Sequence, residues 1–494
     1  MNADLMPKVV SRVGILSALL SKKRGQAVGV MITASHNPEC DNGVKIIEPN
    51  GEMLEEEWES YATSIVNCKV SDLHSCIQKI VLREQISLTQ EGIVFVGRDG
   101  RKSGLALSAL AIEGCKQIAE TVVVDYGLQT TPQLHFYVGS FNSNGRILPL
   151  ERDYYKEFVG AFCKFVQACG KEGFKSSLVV DAANGIGAAK LKKVSQHLDG
   201  KVLEIVLVNE NGPLNEGCGA DFVKLFQKAP EGCSLVEGTR YCSVDGDVDR
   251  ILYYFADENG KFRLLDGDKM AALFCTYLQE LLKKASISCQ LGIVQTAYSN
   301  GNCTKFLQSI GIEPEFACTG VKCLHHIAKA YNVAVYFEAN GHGTITTDAE
   351  FRQKLAKATG KHAEKLRAFL AMVNAYVGDA ITDLLLTEAI LLDKQWTLKD
   401  WNALYTELPN RQTKLTVKDK RAFVPTNADR QLVQPVEIQQ FINECTAQMQ
   451  NARSFVRPSG TEDIVRLYVE AESEEACTML TKEISSFIIQ WQAQ

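Results

Sequence analysis

Val28-Gly29-Val30-Met31-Ile32-Thr33-Ala34-Ser35-His36-Asn37-Pro38 is the stretch on which the fold turns. Its first half, Val28–Thr33, is a short apolar run rich in β-branched residues, which predicts a buried strand. Upstream, Val9, Val13, Leu16 and Leu20 recur at helical spacing over Pro7–Leu20. Downstream, Ile93–Val96 and Thr121–Val124 repeat the strand pattern, with helical spacing near Leu105–Glu120 between them. A β-α-β alternation of this kind predicts a parallel sheet with crossover helices. It recurs at Ser177–Asp181, a helix from Ala188 and Val202–Val208, and again at Gly292–Thr296, a helix from Thr304 and Ala334–Glu338. Three successive α/β units are therefore expected, with boundaries near Asn142–Leu150 and Ala256–Lys261, where glycines and polar residues cluster. The polar stretch Asp348–Lys365 is expected as an exposed helix. From about Lys414 the pattern changes: strands near Arg421–Val424 and Ile464–Glu470, and helices near Pro435–Met449 and Glu474–Trp491, predict a smaller α+β domain. The expected spans are 1–150, 151–260, 261–405 and 406–494.

At 494 residues the chain exceeds what one hydrophobic core supports, and 46% hydrophobic with 23% charged residues excludes wholesale disorder. A formal net charge of -6 argues against nucleic acid as partner and requires any anionic ligand to sit in a local basic pocket. The 16 cysteines are scattered, form no C-x-x-C pair, and include Cys163 and Cys275 within apolar runs. Buried free thiols in a reducing compartment are the expectation. Lys8 and Arg12 interrupt the opening, and Val13–Leu20 runs into Ser21-Lys22-Lys23-Arg24 without a small-residue cleavage site. No signal peptide, no membrane partner and a cytoplasmic location are expected.

Four segments carry candidate chemistry. The first is the polar turn after the opening strand, where Ser35 is placed as a nucleophile or phosphate carrier and His36 as a proton carrier. Lys45 follows Asn42-Gly43-Val44 and could neutralise a phosphoryl group or act as general base. By spacing alone the segment also reads as an ordinary Asn-Pro and Asn-Gly turn. The second is Asp245-Gly246-Asp247-Val248-Asp249-Arg250 between the apolar runs Tyr241–Val244 and Ile251–Phe255. Three alternating carboxylates repel one another unless a cation joins them, and hard oxygen ligands select magnesium or calcium. An EF-hand needs glycine at its sixth position and glutamate at its twelfth; Arg250 and Ala256 stand there, so magnesium fits better. Arg250 is then aimed at a phosphate or carboxylate; the alternative is a solvated acidic hairpin turn. The third, Glu338-Ala339-Asn340-Gly341-His342-Gly343, offers donors and acceptors suited to sugar hydroxyls, or is a polar strand-to-loop turn. The fourth, Arg457-Pro458-Ser459-Gly460-Thr461, has the composition of a phosphate cradle or of a hydroxyl-rich turn, with Arg466 on the following strand as a second cation.

Taken together and in order, these segments resemble the α-D-phosphohexomutase superfamily from about Val9 to the C-terminus. Thr33-Ala34-Ser35-His36-Asn37-Pro38, the Asp-Gly-Asp-x-Asp-Arg run at Asp245 and Arg457-Pro458-Ser459-Gly460-Thr461-Glu462 carry the resemblance. Glu338-Ala339-Asn340-Gly341-His342-Gly343, Thr130-Thr131-Pro132-Gln133-Leu134-His135 and Asp181-Ala182-Ala183-Asn184-Gly185-Ile186-Gly187 look like the branch that acts on N-acetylglucosamine phosphate. The resemblance implies an α/β fold of three mixed-sheet domains and a C-terminal α+β domain around a central cleft. It implies an intramolecular phosphotransferase that interconverts N-acetylglucosamine 6-phosphate and 1-phosphate through a sugar 1,6-bisphosphate, in UDP-N-acetylglucosamine biosynthesis. Ser35 is implied as the phosphoserine. Ser35, Asp245, Asp247 and Asp249 are implied as ligands of one magnesium ion, with His36, Lys45 and Arg250 handling charge and protons. Glu338, Asn340 and His342 are implied to read the sugar, and Arg457, Ser459, Gly460, Thr461 and Arg466 to hold the resting phosphate. Superfamily members carry an earlier strand and a Gly-Thr-x-Gly-x-Arg type loop ahead of the first helix, and no such motif lies upstream of Ser35. An exposed edge in the first sheet is therefore expected. The alternatives are a sugar-phosphate-binding protein without turnover and a glucose or mannose phosphomutase.

Overall fold

Pro7 in the first turn and Gly25 in the left-handed conformation just past the last turn bound the opening helix, Met6–Arg24. Its Lys22, Lys23 and Arg24 complement the carbonyl end of the helix dipole. The computed structural model describes residues 1–170, 175–198, 202–460 and 463–493. It divides into two compact units, Met1–Leu264 with Glu364–Trp396, and Leu265–Ala363 with Thr397–Gln494.

The first unit holds two sheets. In one, β1 (Ala27–Ile32) lies between β2 (Val44–Ile47) and β3 (Gly92–Arg98), and β4 (Thr121–Leu128) follows β3. β1 runs parallel to β3 and antiparallel to β2, and β3 runs parallel to β4. β1 is buried on both faces, as a central parallel strand requires. The edges are β2 and β4; Val122 and Leu128 on β4 are about half exposed. The second sheet has the order β6 (Leu203–Val208), β5 (Ser176–Asp181), β7 (Tyr241–Val244), β8 (Ile251–Ala256), β9 (Phe262–Leu265). The polar cluster Ala256–Lys261 turns β8 into β9 rather than ending the sheet, because Asp257 Oδ1 accepts the N–H groups of Asn259 (3.0 Å) and Lys261 (2.9 Å). Helix Ala380–Lys394 is buried from Ala380 to Leu392, and Tyr154 Oη donates to Asp379 at its N-cap (2.6 Å). Residues 364–396, which the spacing predicts within 261–405, thus belong to the first unit.

In the second unit β10 (Leu291–Thr296) runs parallel to β11 (Glu315–Ala317) and β12 (Val333–Phe337), and β12 pairs antiparallel with β13 (Gly343–Thr347). An antiparallel sheet follows, built from β14 (Asn410–Thr416), β17 (Arg453–Pro458) and β18 (Ile464–Glu470), with a hairpin of β15 (Val424–Thr426) and β16 (Gln431–Gln434). Helices Val436–Ala447 and Glu474–Ala493 pack there around Ile438, Ile442, Leu467, Leu480 and Ile484. The strand expected at Arg421–Val424 is largely a 3-10 turn, Lys420–Ala422, because Asp419 Oδ1 takes the Arg421 N–H (2.9 Å). The helix expected over Asp348–Lys365 is two helices, Ala349–Lys357 and Lys361–Leu370, interrupted where Gly360 takes a φ of +95°. Mixed α/β sheets in several domains are therefore the observed architecture.

In all three α/β sheets a central parallel strand ends in a polar loop and the chain returns as an antiparallel neighbour: β1 to β2, β7 to β8, β12 to β13. The loops between them are 33–43, 245–250 and 338–342.

Candidate active site

Ser35 sits on the first of these loops. Its φ is +50°, a region side-chain-bearing residues seldom enter, and it is held there from both sides. Thr33 Oγ1 accepts its N–H (2.9 Å), while Arg101 Nη2 and Asn215 Nδ2 both donate to its carbonyl (2.9 Å each). Its Oγ donates to Asp245 Oδ2 at 2.6 Å.

Asp245, Asp247 and Asp249 are buried, and one carboxylate oxygen of each lies within 4.8 Å of the others. At an effective dielectric near 20, each such pair of charges repels by at least about 3.5 kcal/mol. Burial, then Asp249 and Asp247, push the Asp245 carboxyl well above the usual range. Lys45, delivered by β2, answers that charge with Nζ 3.0 Å from Asp247 Oδ2 and 2.9 Å from Asp249 Oδ2. Burial works against its ammonium, but Asp247 and Asp249 outweigh burial and raise its pKa. Thr131 Oγ1 also donates to Asp247 Oδ2 (2.6 Å), which is what the Thr-Thr-Pro-Gln segment contributes, together with a capping box from Thr130 and Gln133. Asp247 Oδ1 is buried with no hydrogen-bond partner. An unsatisfied buried oxygen among three hard carboxylates fits a small divalent cation such as magnesium.

Arg250 Nε lies 3.9 Å from Asp245 and 3.8 Å from Asp249, with Nη1 3.9 Å from Asp221. His36 is held below its ordinary pKa by burial and then by Arg250. Two loops brace this cluster. Gly246 passes so close to the serine loop that a Cβ there would lie 2.7 Å from the Ser35 carbonyl oxygen. The Asp181–Gly187 segment supports Gly246 from the other side: Ile186 N–H donates to its carbonyl (3.4 Å), and Asp181 anchors the segment through Ala183, Gly219, Asn209 and Ser243.

In the second unit Glu338 follows β12. Its N–H donates to the His342 carbonyl (2.8 Å), and its Oε1 accepts the Gly320 N–H (3.2 Å). Asn340 Nδ2 donates to Glu338 Oε2 (3.3 Å) and Asn340 Oδ1 accepts the His342 backbone N–H (3.0 Å), so the Glu338 and Asn340 side chains and the His342 backbone form one hydrogen-bonded turn. Arg457 and Arg466 are directly paired across β17 and β18, and Lys414 pairs with Arg466 across β14. Like charges side by side on a sheet repel one another, and the row presents concentrated positive charge of the kind an anion can meet. Ser459 is buried and its N–H donates to Ile464 (2.9 Å); Gly460 is exposed. Thr461 lies outside the described residues. Asp429 links the two groups: its Oδ2 accepts the Thr319 N–H (2.8 Å) and lies 3.5 Å from Arg457 Nε.

The geometry thus gathers Ser35, His36, Lys45, Arg250 and the three aspartates in one unit, and Glu338, Asn340, His342, Arg457, Ser459 and Arg466 in the other. It adds residues that spacing did not single out: Asp99, Arg101, Thr131, Asn215, Thr319 and Asp429. Arg101 stands two residues past Asp99 at the end of β3, the position where β-α-β sheets present functional groups, and that placement was the available signal.

A serine against a buried carboxylate triad, on a chain of repeated mixed α/β sheets with an antiparallel terminal domain, defines a phosphohexomutase. Family models agree: "Phosphoglucomutase/phosphomannomutase, alpha/beta/alpha domain I" matches residues 13–71 and 68–148, and its C-terminal domain matches 414–486. "Phosphoacetylglucosamine mutase AMG1" domains II and III match 146–252 and 266–396. Phosphoacetylglucosamine mutase of Mus musculus is 44% identical over 501 residues, covering 99% of this chain and 92% of that one. A crystal structure of N-acetylglucosamine-phosphate mutase in its product complex superposes with a TM-score of 0.96 at 40% identity, covering 99% of this chain and 94% of that one. The Aspergillus fumigatus N-acetylphosphoglucosamine mutase in complex with GlcNAc-6P and magnesium gives 0.94 at 40% identity, covering 98% and 93%. The chain belongs to the phosphoacetylglucosamine mutase family.

Proposed function

We propose that this chain interconverts N-acetylglucosamine 6-phosphate and N-acetylglucosamine 1-phosphate through a phosphorylated Ser35. The observation that carries the reading is Ser35 Oγ at 2.6 Å from Asp245 within a triad of buried carboxylates. Asp245, Asp247 and Asp249, with the phosphorylated Ser35, would hold one magnesium ion, which when bound neutralises phosphoryl oxygens and the three carboxylates. Lys45 and Arg250 supply fixed positive charge around the same point. His36 can take the proton from an attacking sugar hydroxyl and return it. Glu338, Asn340 and His342 present acceptors and donors to sugar hydroxyls. Arg457, Ser459, Gly460, Thr461 and Arg466 hold the phosphate that stays on the sugar. A cradle that takes either phosphate lets the 1,6-bisphosphate bind in both orientations, so that one transfer phosphorylates the sugar and the next restores Ser35.

The spans 1–150, 151–260, 261–405 and 406–494 are read as the four domains, supported by the similar limits of the matched family models, with residues 364–396 of the third packed into the first compact unit. The free thiols, many of them buried, support a cytoplasmic location. Among the described residues no helix is long and apolar enough to cross a membrane. The test is a coupled, magnesium-dependent assay on N-acetylglucosamine 6-phosphate primed with a trace of glucose 1,6-bisphosphate. Turnover is expected for the parent and none for Ser35→Ala; a Ser35→Ala protein that still turns over would refute the phosphoserine.

A further inference from the structure

We infer that Arg101 is the positioning residue that sets the reactive serine, gripping the backbone of the 35–41 loop. Arg101 is buried, and its guanidinium has five N–H groups to place. Nε donates to Asp99 Oδ2 (3.0 Å), Nη1 to the carbonyls of Pro38 (2.6 Å) and Asp41 (2.9 Å), and Nη2 to those of Ser35 (2.9 Å) and Asn37 (2.8 Å). Five contacts use five donors, so none is left for a phosphate: this arginine acts on the chain and not on the substrate. The same Asp99 Oδ2 accepts Thr33 Oγ–H (2.7 Å), and Thr33 Oγ1 accepts the Ser35 N–H. One buried carboxylate therefore steadies both the donor on the Ser35 carbonyl and the acceptor on its amide. Asn215 Nδ2 repeats the grip on the carbonyls of Ser35 (2.9 Å) and Asn37 (3.0 Å).

The inference rests on the phosphoserine reading. If Ser35 Oγ gives up and regains a phosphoryl group in each cycle, everything else about the residue must stay still. Its left-handed backbone has no intrinsic preference to do so. A misplacement of about 1 Å at a reacting atom costs on the order of 100-fold in rate. The sugar-reading and phosphate-holding side chains sit on the other compact unit, so loss of the grip should spare substrate affinity.

Arg101→Lys tests this, because an ammonium keeps the charge but cannot reach four carbonyls and a carboxylate at once. Expected is a fall in kcat of about 100-fold with KM within about 3-fold, and an equal slowing of Ser35 phosphorylation by glucose 1,6-bisphosphate read by intact mass. Asn215→Ala, which removes two bonds to the same carbonyls and leaves Arg101, should show the same split with about a 10-fold fall. If Arg101→Lys does not fold, the Asn215→Ala split decides alone. A kcat within 2-fold of parent, or a loss that appears only in KM, overturns the inference. Turnover by Ser35→Ala would instead overturn the phosphoserine reading, which separates the two failures.

Discussion

Gly246→Ala isolates the meeting of the serine and metal loops from every charge in the site. The added Cβ would lie 2.7 Å from the Ser35 carbonyl oxygen, 3.1 Å from Asn215 Nδ2 and 3.2 Å from Leu214 Cδ1. Ordinary contact begins at 3.4 Å, so the shortfall against Ser35 is 3.4 minus 2.7, about 0.7 Å. The obstructing atom is backbone, and no rotamer change relieves it; the two loops must part. Scaling from about 100-fold per ångström of misplacement, kcat should fall about 25-fold, or ~1.9 kcal/mol of barrier. Overpacking costs about 1–3 kcal/mol of stability besides, which thermal melting reads separately. The control is Gly160→Ala on helix Glu151–Ala168, where a Cβ meets nothing within 4 Å; kcat should be unchanged and stability equal or higher. The assay is the coupled turnover measurement at saturating magnesium, with kcat and KM fitted separately. A folded Gly246→Ala protein with kcat within 2-fold of parent would mean that the loops are not held at the distance the geometry requires.

Two further outcomes are expected. Arg457→Ala should raise KM at least 10-fold while lowering kcat less, since a phosphate grip is used in ground and transition states alike; an unchanged KM would refute the grip. Asp99 is pushed up to about 6 by burial, with Arg101 and Thr33 opposing. Its folded pKa thus lies above the unfolded value of about 3.9, so the native state binds the extra proton. Asp99 should therefore cost stability as pH rises from about 4 to about 6, by up to ~1.4 kcal/mol per pH unit. Asp379, also pushed up to about 6, titrates in the same window but is present in both proteins and cancels. Urea midpoints of parent and Asp99→Asn at pH 4.5, 5.5 and 6.5 check this, and parallel slopes would show that Asp99 is not responsible.

The strands that end in chemistry were legible because buried parallel strands are uniformly apolar and their loops abruptly polar; Val28–Thr33 and Ala334–Glu338 needed nothing else. Their return strands were not. β2 is only Val44–Ile47 and carries Lys45, while β13 is Gly343–Thr347 with two threonines at its end, so neither gives an apolar run. The shared loop-and-return arrangement was hidden for the same reason. The aspartate loop was the exception, because apolar segments enclose it on both sides. Arg101 and Asn215 hold the serine loop through its backbone carbonyls, and carbonyls leave no mark in a sequence. The role of Asp429 rests on a run of left-handed residues, Asn427 to Asp429, that composition alone reads as a loop tip.

The first unit closes only after the chain has left it at Leu264 and come back at Glu364, a detour of 99 residues, 265–363. A nascent chain that has just completed the serine and aspartate loops still lacks the helix Ala380–Lys394, and with it the Asp379 partner of buried Tyr154. Apolar surface meant for that helix stays uncovered until synthesis has passed the detour, at about 5–20 residues per second a wait of about 5–20 seconds. Closure then joins segments far apart along the chain, the kind of contact that forms slowly and that chaperones protect. A fragment ending at residue 264 would carry Ser35 and the three buried aspartates and lack the piece that seals its core.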